Sequence, residues 1–179
     1  ENSVIPCIGD HPTNIIFLTC DATGVLPMVS ELKNDQIEMM FMCGYTSKVA
    51  GTEIGIEKPI MTFSSCFAEP FIVWSPKLYA SMLIERINKH NSKVWLVNTG
   101  YNIKGKRHPI ETSREIIELI KTNKINNLIR KKLNHFGIEY FVRYDNDELF
   151  DPSVSWKDKY DSELKNLYNQ FMDKYNNTK

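Results

Sequence analysis

The chain has 179 residues, 42% of them hydrophobic, which is enough for one domain with a substantial core. Its 22 basic and 22 acidic residues balance, so no global field favours nucleic acid or an anionic membrane surface. No apolar run approaches the roughly 18 residues of a membrane span, and the first residues do not match a secretory signal. We therefore expect neither membrane nor nucleic acid as a partner.

The four cysteines do not form a metal or redox motif. Cys7, Cys20, Cys43 and Cys66 lack the C-x-x-C spacing of zinc knuckles and thioredoxin-like sites. Cys20 lies in an apolar stretch and Cys43 on a helical pattern, which is typical of reduced, buried thiols. We expect a cytoplasmic protein with free cysteines, and a disulfide pair is the alternative.

The beginning of the chain predicts a strand, a turn and a helix. Residues 14–20 (NIIFLTC) form a short apolar run with β-branched residues, typical of a buried strand. Residues 21–27 carry glycine and proline and predict a turn. Asp35, followed three residues later by Glu38, predicts a capped helix start, and the helical pattern continues to about residue 42.

The segment 44–67 is the most informative feature. It is rich in glycine and hydroxyl side chains, and its first half is too polar for a helix or a strand. Connections of this length are uncommon in a compact domain unless they are functional, and active-site lids are one main case. Its polar residues Thr46, Lys48, Thr52 and Glu53 suit a lid that orders over an anionic ligand. A surface loop without a ligand is the alternative.

The middle of the chain alternates extended and helical patterns. Residues 67–74 predict a short extended piece between prolines, and Ser75 with Pro76 predicts the start of a helix to about residue 90. Apolar residues at helical spacing predict the packing face of this helix: Leu78, Met82, Leu83 and Ile87. Residues 93–99 (KVWLVNT) predict a second buried strand.

The remainder of the chain predicts mainly helices. After a polar loop, helices are expected from Pro109 to about Lys121, over 124–135, and over 157–175. The alternation of strands and helices predicts an α/β (mixed α+β) architecture. Two convincing strands are few for an independent sheet, so we expect the chain to be part of a larger domain.

A basic, glycine-containing loop follows the second predicted strand. It carries Lys104, Lys106 and Arg107, and open α/β sheets bind ligands outside the carboxyl ends of their strands. The planar guanidinium of Arg107 suits a purine face or a phosphate. His108 and Ser113 follow, with a ring and a hydroxyl to offer. From the residues alone, a solvated surface loop is the alternative.

Other polar residues do not predict a site. Asp21 ends the first strand, where loop capping through an Asx-turn is preferred over a catalytic role. Residues 145–148 resemble the opening of a calcium loop but lack its glycine and final glutamate. The basic residues between 121 and 132 are interpreted as a solvated helix face, and the histidines are scattered without metal spacing. Without a phosphate loop, a nucleophile elbow or an HExxH motif, no metal site and no complete catalytic set is predicted.

Four blocks of sequence, in this order and spacing, resemble the ATP-dependent phosphoenolpyruvate carboxykinases. They are FLTCDATGVLPMVS at 17–30, the segment 44–67, LVNTG at 96–100 and GKR at 105–107. The resemblance covers nearly the whole chain, including the last helix, and its 44–67 block is highly specific. It implies that residues 1–179 are the C-terminal portion of the mononucleotide-binding domain of that family.

The resemblance also implies an activity. The family comprises lyases of gluconeogenesis and C4 metabolism that convert oxaloacetate and ATP to phosphoenolpyruvate, ADP and CO2 with Mg²⁺ and Mn²⁺. Decarboxylation leaves an enolate that must be phosphorylated before water protonates it, which a closing lid prevents. By resemblance, 44–67 is the active-site lid, and Arg107, His108 and Ser113 lie around the adenine of ATP.

Four positions depart from the pattern of the family. His108 replaces an aliphatic residue and Ser113 a threonine, which changes the packing expected around adenine. Tyr101 stands where tryptophan often follows the Asn-Thr-Gly, and Ile54 where an arginine is common in the lid.

By the same resemblance, the phosphate loop, the metal ligands and the oxaloacetate-binding residues lie upstream of Glu1. The expected partner is therefore the N-terminal part of the same polypeptide, and the chain alone is expected to be an inactive fragment. Two alternatives stay open, a non-catalytic nucleotide-binding module and a structural subdomain of a degenerate homologue. Within the enzyme interpretation, GTP is the alternative nucleotide.

Overall fold

A computed structural model describes residues 3–49 and 55–178. Its elements in chain order are β1 (Asn14–Thr19), β2 (Val29–Leu32), α1 (Asp35–Cys43), β3 (Tyr45–Lys48), β4 (Ile60–Phe63), α2 (Pro76–His90), β5 (Lys93–Asn98), α3 (Ile110–Lys121), β6 (Ile129–Lys132), β7 (Glu139–Val142), α4 (Pro152–Trp156) and α5 (Tyr160–Thr178). Helices and strands alternate through most of the chain, and the predicted α/β (mixed α+β) class is confirmed.

Five of these strands form one sheet in the order β1-β5-β2-β7-β6. β1 and β5 are parallel, and the other neighbouring pairs are antiparallel. Strands are therefore confirmed at both predicted positions, 14–20 and 93–99, and the structure shows that they are neighbours. Their residues pair in register from Asn14 with Lys93 to Thr19 with Asn98, which brings both carboxyl ends to the same edge of the sheet.

The sheet has five strands, three more than the two that the sequence patterns predict. The sequence does not indicate β2, β6 and β7, because each has four residues, too few for a clear alternating pattern. The helix expected over 124–135 is a 3₁₀ turn, Lys124–Asn127, followed by β6. The apolar spacing of this segment matches a helix, but pairing with β7 supplies the backbone hydrogen bonds of a strand.

Two further expectations need correction. Residues 67–74 are not extended, because 3₁₀ turns occupy Ser65–Phe67 and Glu69–Phe71. The predicted packing face of α2 is only partly buried, since Ile87 is buried while Leu78 and Met82 remain 43% and 49% exposed. The start of α2 is as predicted, with the Ser75 side chain accepting a hydrogen bond from the Leu78 amide.

The helices at 35–42 and 109–121 are confirmed as α1 and α3. Asn34 is the N-cap of α1 and makes no side-chain capping bond, so the capping box expected at Asp35 is absent. The last helix also forms, after a 3₁₀ turn at Lys157–Lys159. Its face is buried at Leu164, Leu167 and Phe171, as the spacing predicted.

The first half of the 44–67 segment is not free of regular structure. β3 and β4 pair as a two-stranded antiparallel sheet from Tyr45 with Phe63 to Lys48 with Ile60. Phe171 of α5 packs against the rings of Tyr45 and Phe63, with both centroid distances 5.2 Å. Long-range aromatic packing therefore stabilises a hairpin that its polar sequence does not predict.

Candidate functional site

The carboxyl ends of β1 and β5 lie side by side and are joined by side-chain hydrogen bonds. The Asn98 amide oxygen accepts from the backbone N–H of Asp21 at 3.1 Å and of Gly100 at 2.9 Å. The Thr99 hydroxyl donates to the Thr19 carbonyl at 3.0 Å. The loops that leave both strands therefore begin in contact with each other.

Glycine is required at position 100 for this contact. A Cβ there would lie 2.2 Å from the backbone nitrogen and 2.3 Å from the carbonyl oxygen of Asp21. Because backbone atoms cannot move aside as a flexible side chain can, any other residue would push the two loops apart. The close approach explains the glycine after Asn98 and Thr99.

The loop from 101 to 108 is ordered by its own hydrogen bonds. Tyr101 and Arg107 form an antiparallel bridge, and the Asn102 side-chain oxygen accepts from the backbone N–H of Lys104 and Lys106, both at 3.0 Å. The side chains of Lys104, Lys106 and Arg107 are exposed on this folded loop. Its lysines are solvated, as the alternative interpretation held, but its backbone has a defined shape.

The structure brings together the three residues predicted to surround adenine. Arg107, His108 and Ser113 line one cavity of about 400 Å³, together with Thr99 and Ile110. The Arg107 Nε donates to the Thr99 carbonyl at 3.3 Å, which holds the guanidinium at the mouth of the cavity. The cavity lies directly after β5, at the edge of the sheet where α/β proteins bind ligands.

His108 is half-buried at this cavity. Burial lowers the pKa of its imidazole, and the nearby Asp21 carboxylate offsets part of this effect. The ring is therefore neutral at neutral pH and offers one N–H donor and one acceptor nitrogen. Ser113, in the first turn of α3, is 8% exposed.

The residues predicted to belong to a lid fall into two groups. Thr46 and Lys48 lie on β3 and line a second cavity of about 640 Å³ between the hairpin and the turn at Glu69 and Pro70. Thr52 and Glu53 lie outside the described residues, as does the departure at Ile54. Gly44 begins the hairpin with φ of 56°, and a Cβ there would lie 1.7 Å from the Ser64 carbonyl oxygen.

Asp21 joins the sheet edge to the hairpin and is fully buried. Its carboxylate accepts from the backbone N–H of Thr23, Val25 and Leu26 and from the Thr23 hydroxyl. The Tyr45 phenol donates a further hydrogen bond at 2.7 Å. Loop capping, the preferred interpretation of Asp21, is confirmed.

Sequence reasoning missed the contacts that hold the hairpin against the sheet. Besides the Tyr45 phenol, the Thr19 hydroxyl donates to the Tyr45 carbonyl at 2.8 Å, and the Ser47 hydroxyl to the Cys20 sulfur at 3.0 Å. Burial, with a smaller effect of Asp21, raises the pKa of Tyr45, so it stays a protonated donor. For the contact between the two loops, one usable signal is Asn98, a polar residue at the end of an apolar strand, which is fully buried in the structure.

The histidines are not all scattered. His11 and His90 stack with ring centroids 3.4 Å apart, and the buried Nε2 of His90 has no hydrogen-bond partner among the described residues. Across residues 3–49 and 55–178, no group of three or more His, Cys, Asp or Glu side chains is arranged to hold a metal ion.

The basic residues between 121 and 132 do not form one helix face, because Lys131 lies on β6 and pairs with the buried Asp151 at 2.8 Å. The four cysteines are free, as expected, and burial raises the pKa of Cys43 to about 12. None of the described helices has the length and apolar character needed to cross a membrane.

The fold is thus a mixed α/β structure with a cavity at the carboxyl ends of two parallel strands and a hairpin beside it. A sequence model of the phosphoenolpyruvate carboxykinase family matches residues 1–146. This match covers most of the chain, and the chain belongs to the phosphoenolpyruvate carboxykinase family.

Individual relatives agree with this assignment. The chain is 40% identical to the phosphoenolpyruvate carboxykinase (ATP) of Dictyostelium discoideum over 97% of its own length and 32% of that protein. It is 42% identical to the Kluyveromyces lactis protein of the same name, over 96% of the chain and 34% of that protein. It is 40% identical to the Saccharomyces cerevisiae protein of the same name, over 96% of the chain and 33% of that protein. The chain therefore spans about a third of the length of these curated relatives.

Proposed function

We propose that the chain supplies the adenine-side wall and the lid of an enzyme that converts oxaloacetate and ATP to phosphoenolpyruvate, ADP and CO2. Family membership and the names of the relatives support this reaction. The domain assignment follows: residues 1–179 form the C-terminal portion of a mononucleotide-binding domain, with the lid at 44–67. The same proposal places the enzyme in the cytoplasm and in gluconeogenesis or C4 metabolism.

The observation that carries the proposal is the cavity shared by Arg107, His108 and Ser113. A planar guanidinium at the mouth of a cavity can stack on a purine face. A neutral imidazole and a buried hydroxyl can hydrogen-bond to ring nitrogens or the exocyclic amine without adding charge. We assign these three side chains to the adenine end of ATP.

The lid assignment rests on how the hairpin is anchored. Its base is held by Asp21, Thr19 and Phe171, so the hairpin begins at a fixed position beside the edge of the sheet. Thr46 and Lys48 face the second cavity, where a hydroxyl and a cation suit an anionic substrate. Closure would keep water from the enolate formed by decarboxylation. Thr52 and Glu53 keep their assignment to the lid by resemblance.

Divalent metal ions would supply charge neutralisation for phosphoryl transfer. The part of the chain that the structure describes offers no metal-binding group of three or more His, Cys, Asp or Glu side chains. By resemblance to the family, we assign the Mg²⁺ and Mn²⁺ ligands, the phosphate loop and the oxaloacetate site to parts of the enzyme outside this chain.

The test measures phosphoenolpyruvate formation by the full-length polypeptide, with oxaloacetate, Mn²⁺ and either ATP or GTP. We expect turnover with ATP. In Arg107→Ala the KM for ATP should rise about tenfold with kcat little changed, because a ground-state contact worth about 1.4 kcal/mol is lost. Arg86→Ala, an exposed arginine of α2, is the matched control.

Each other result has a defined meaning. Absence of turnover with both nucleotides would support the non-catalytic or structural subdomain instead. Turnover with an unchanged KM in Arg107→Ala would keep the reaction and refute the adenine assignment. Preference for GTP would refute ATP as the nucleotide.

A further inference from the structure

The cavity after β5 has an inner wall that can either donate or accept hydrogen bonds. Arg107 and Ile110 are exposed at its mouth, whereas Ser113 is 8% exposed and His108 is half-buried. A hydroxyl and a neutral imidazole each offer a donor and an acceptor. The side chains that a ligand meets deepest in the cavity therefore impose no fixed direction of hydrogen bonding.

Neither of these two inner side chains has a hydrogen-bond partner within residues 3–49 and 55–178. Their backbone N–H groups, by contrast, are bonded. The N–H of His108 donates to the Gly100 carbonyl at 2.9 Å, and that of Ser113 donates to the Pro109 carbonyl at 3.4 Å. The imidazole and the hydroxyl are thus available to a ligand, whereas the backbone donors beside them are already used.

Charged groups lie near His108 on several sides. Asp21, in the turn after β1, acts on the ring through its charge. Glu148, ahead of α4, lines a narrow gap that His108 also lines, and Arg107 precedes His108 in the same loop, while the α3 residues of the cavity wall are uncharged. Burial lowers the pKa of the imidazole and outweighs the effect of Asp21. His108 is therefore neutral at neutral pH, and acidification converts it to a cation.

A nucleotide would enter this cavity base first, because burying its charged triphosphate would cost far more free energy. The purine edge farthest from the ribose then reaches the inner wall, and this edge carries N1 and the substituent at C6. Adenine presents an acceptor at N1 and an amine donor at C6, and hypoxanthine presents the reverse. The longer imidazole of His108 suits the exocyclic substituent, which projects furthest, and the short hydroxyl of Ser113 suits N1.

We propose that His108 recognises the 6-substituent of a purine nucleoside triphosphate and accepts either an amine or a carbonyl at neutral pH. Either imidazole nitrogen can carry the proton, so the ring can accept from the amine of ATP or donate to the carbonyl of inosine triphosphate (ITP). Once protonated, the ring has two donors and no acceptor, so it favours the carbonyl. This inference rests on the proposed function, since it concerns the nucleotide of that reaction.

The test compares three nucleotides on the full-length polypeptide at pH 7.5: ATP, ITP and purine riboside triphosphate, which lacks a 6-substituent. We expect kcat/KM for ATP and ITP to agree within about threefold. The third nucleotide should be about fivefold poorer, because the imidazole is left without a partner. In His108→Ile this preference for a 6-substituent should disappear. His11→Ile, an exposed residue ahead of β1, is the matched control and should keep the ratios of the parent.

A pH series separates hydrogen bonding by the imidazole from a merely structural role. Between pH 7.5 and 5.5 the ratio of kcat/KM for ITP to that for ATP should rise about threefold in the parent. Other titrating groups of the enzyme act on both nucleotides and cancel in this ratio. His108→Gln keeps a donor and an acceptor but does not titrate. It should keep similar values for ATP and ITP, and its ratio should stay constant with pH.

Three results would overturn the inference: a preference of tenfold or more for ATP over ITP in the parent at pH 7.5, an unchanged preference for a 6-substituent in His108→Ile, or an ITP to ATP ratio that does not change with pH in the parent. Isothermal titration calorimetry measures the Kd of each nucleotide in parallel. Absence of turnover would refute the proposed reaction, and the ratios of Kd would still decide the role of His108. His108→Gln provides the same decision if His108→Ile does not fold.

Discussion

The phenol oxygen of Tyr45 lies 2.7 Å from Oδ1 of Asp21, and this hydrogen bond joins the base of the β3–β4 hairpin to the loop after β1. Both side chains are buried, at 2% and 0% exposure. The same carboxylate organises the turn that follows it through the amides of Val25 and Leu26. One buried acid therefore holds the sheet edge, its turn and the hairpin in a fixed arrangement.

The first prediction concerns this hydrogen bond. Tyr45→Phe keeps the ring and removes the donor, so the local free energy of opening should fall by about 1–2 kcal/mol. Amides of Val25, Leu26 and the β3 strand should then exchange about 5- to 30-fold faster. Native-state hydrogen exchange of the full chain measures this.

Tyr144→Phe is the matched control, because Tyr144 is 59% exposed. Its amide exchange at the same positions should equal that of the parent. Equal exchange in both variants would mean that the Tyr45 hydrogen bond does not stabilise the hairpin base.

The second prediction distinguishes neighbouring lysines on β6. Lys131 donates to the Asp151 carboxylate, which is 1% exposed and also accepts from the Tyr140 phenol at 3.1 Å. Lys131→Gln should lower the free energy of unfolding by about 1–2 kcal/mol, since a buried carboxylate loses its charged partner. Urea denaturation of the full chain gives this value.

Lys132 provides the control because successive strand residues point to opposite faces. Its side chain is exposed, and Lys132→Gln should change the free energy of unfolding by less than about 0.5 kcal/mol. Similar losses for both variants would contradict the strand register of β6.

The third prediction is a pH dependence at His108. Burial lowers the pKa of His108 below its ordinary value of 6.5, and Asp21 offsets this only in part. Between the folded and the unfolded pKa, the unfolded chain binds more protons, so stability rises with pH in that window. Acidification below about pH 6.5 should therefore destabilise the fold through this residue, until the folded pKa is passed.

His108→Ile removes the titrating group while filling the same space with an aliphatic side chain. The melting temperature of the parent should fall more than that of the variant between pH 7.5 and 5.5. Above pH 7.5 the two pH profiles should run parallel, because His108 is neutral in both states of the parent. Parallel profiles down to pH 5.5 would show that His108 is not desolvated.

The three residues proposed for the adenine side show how much of the candidate site the sequence can predict. Arg107, His108 and Ser113 were chosen from their position after an apolar strand and from a family resemblance, and they line one cavity. The backbone arrangement that brings these three residues together could not be predicted. It depends on Gly100 against the Asp21 backbone and on the Asn98 side chain bridging two loops, and these are contacts between residues about 77 positions apart.

The sequence by itself determined α1, α2, α3, α5 and the strands β1 and β5, together with the family. The spacing of their apolar residues and the residues at their ends are local features that extend over a few neighbouring positions. The linear sequence is therefore enough to predict these helices and strands. Only the tertiary structure decided β2, β6 and β7, the hairpin of β3 and β4, and the inward direction of Lys131. These elements are short or polar, and they form because distant segments supply their hydrogen bonds and their aromatic contacts.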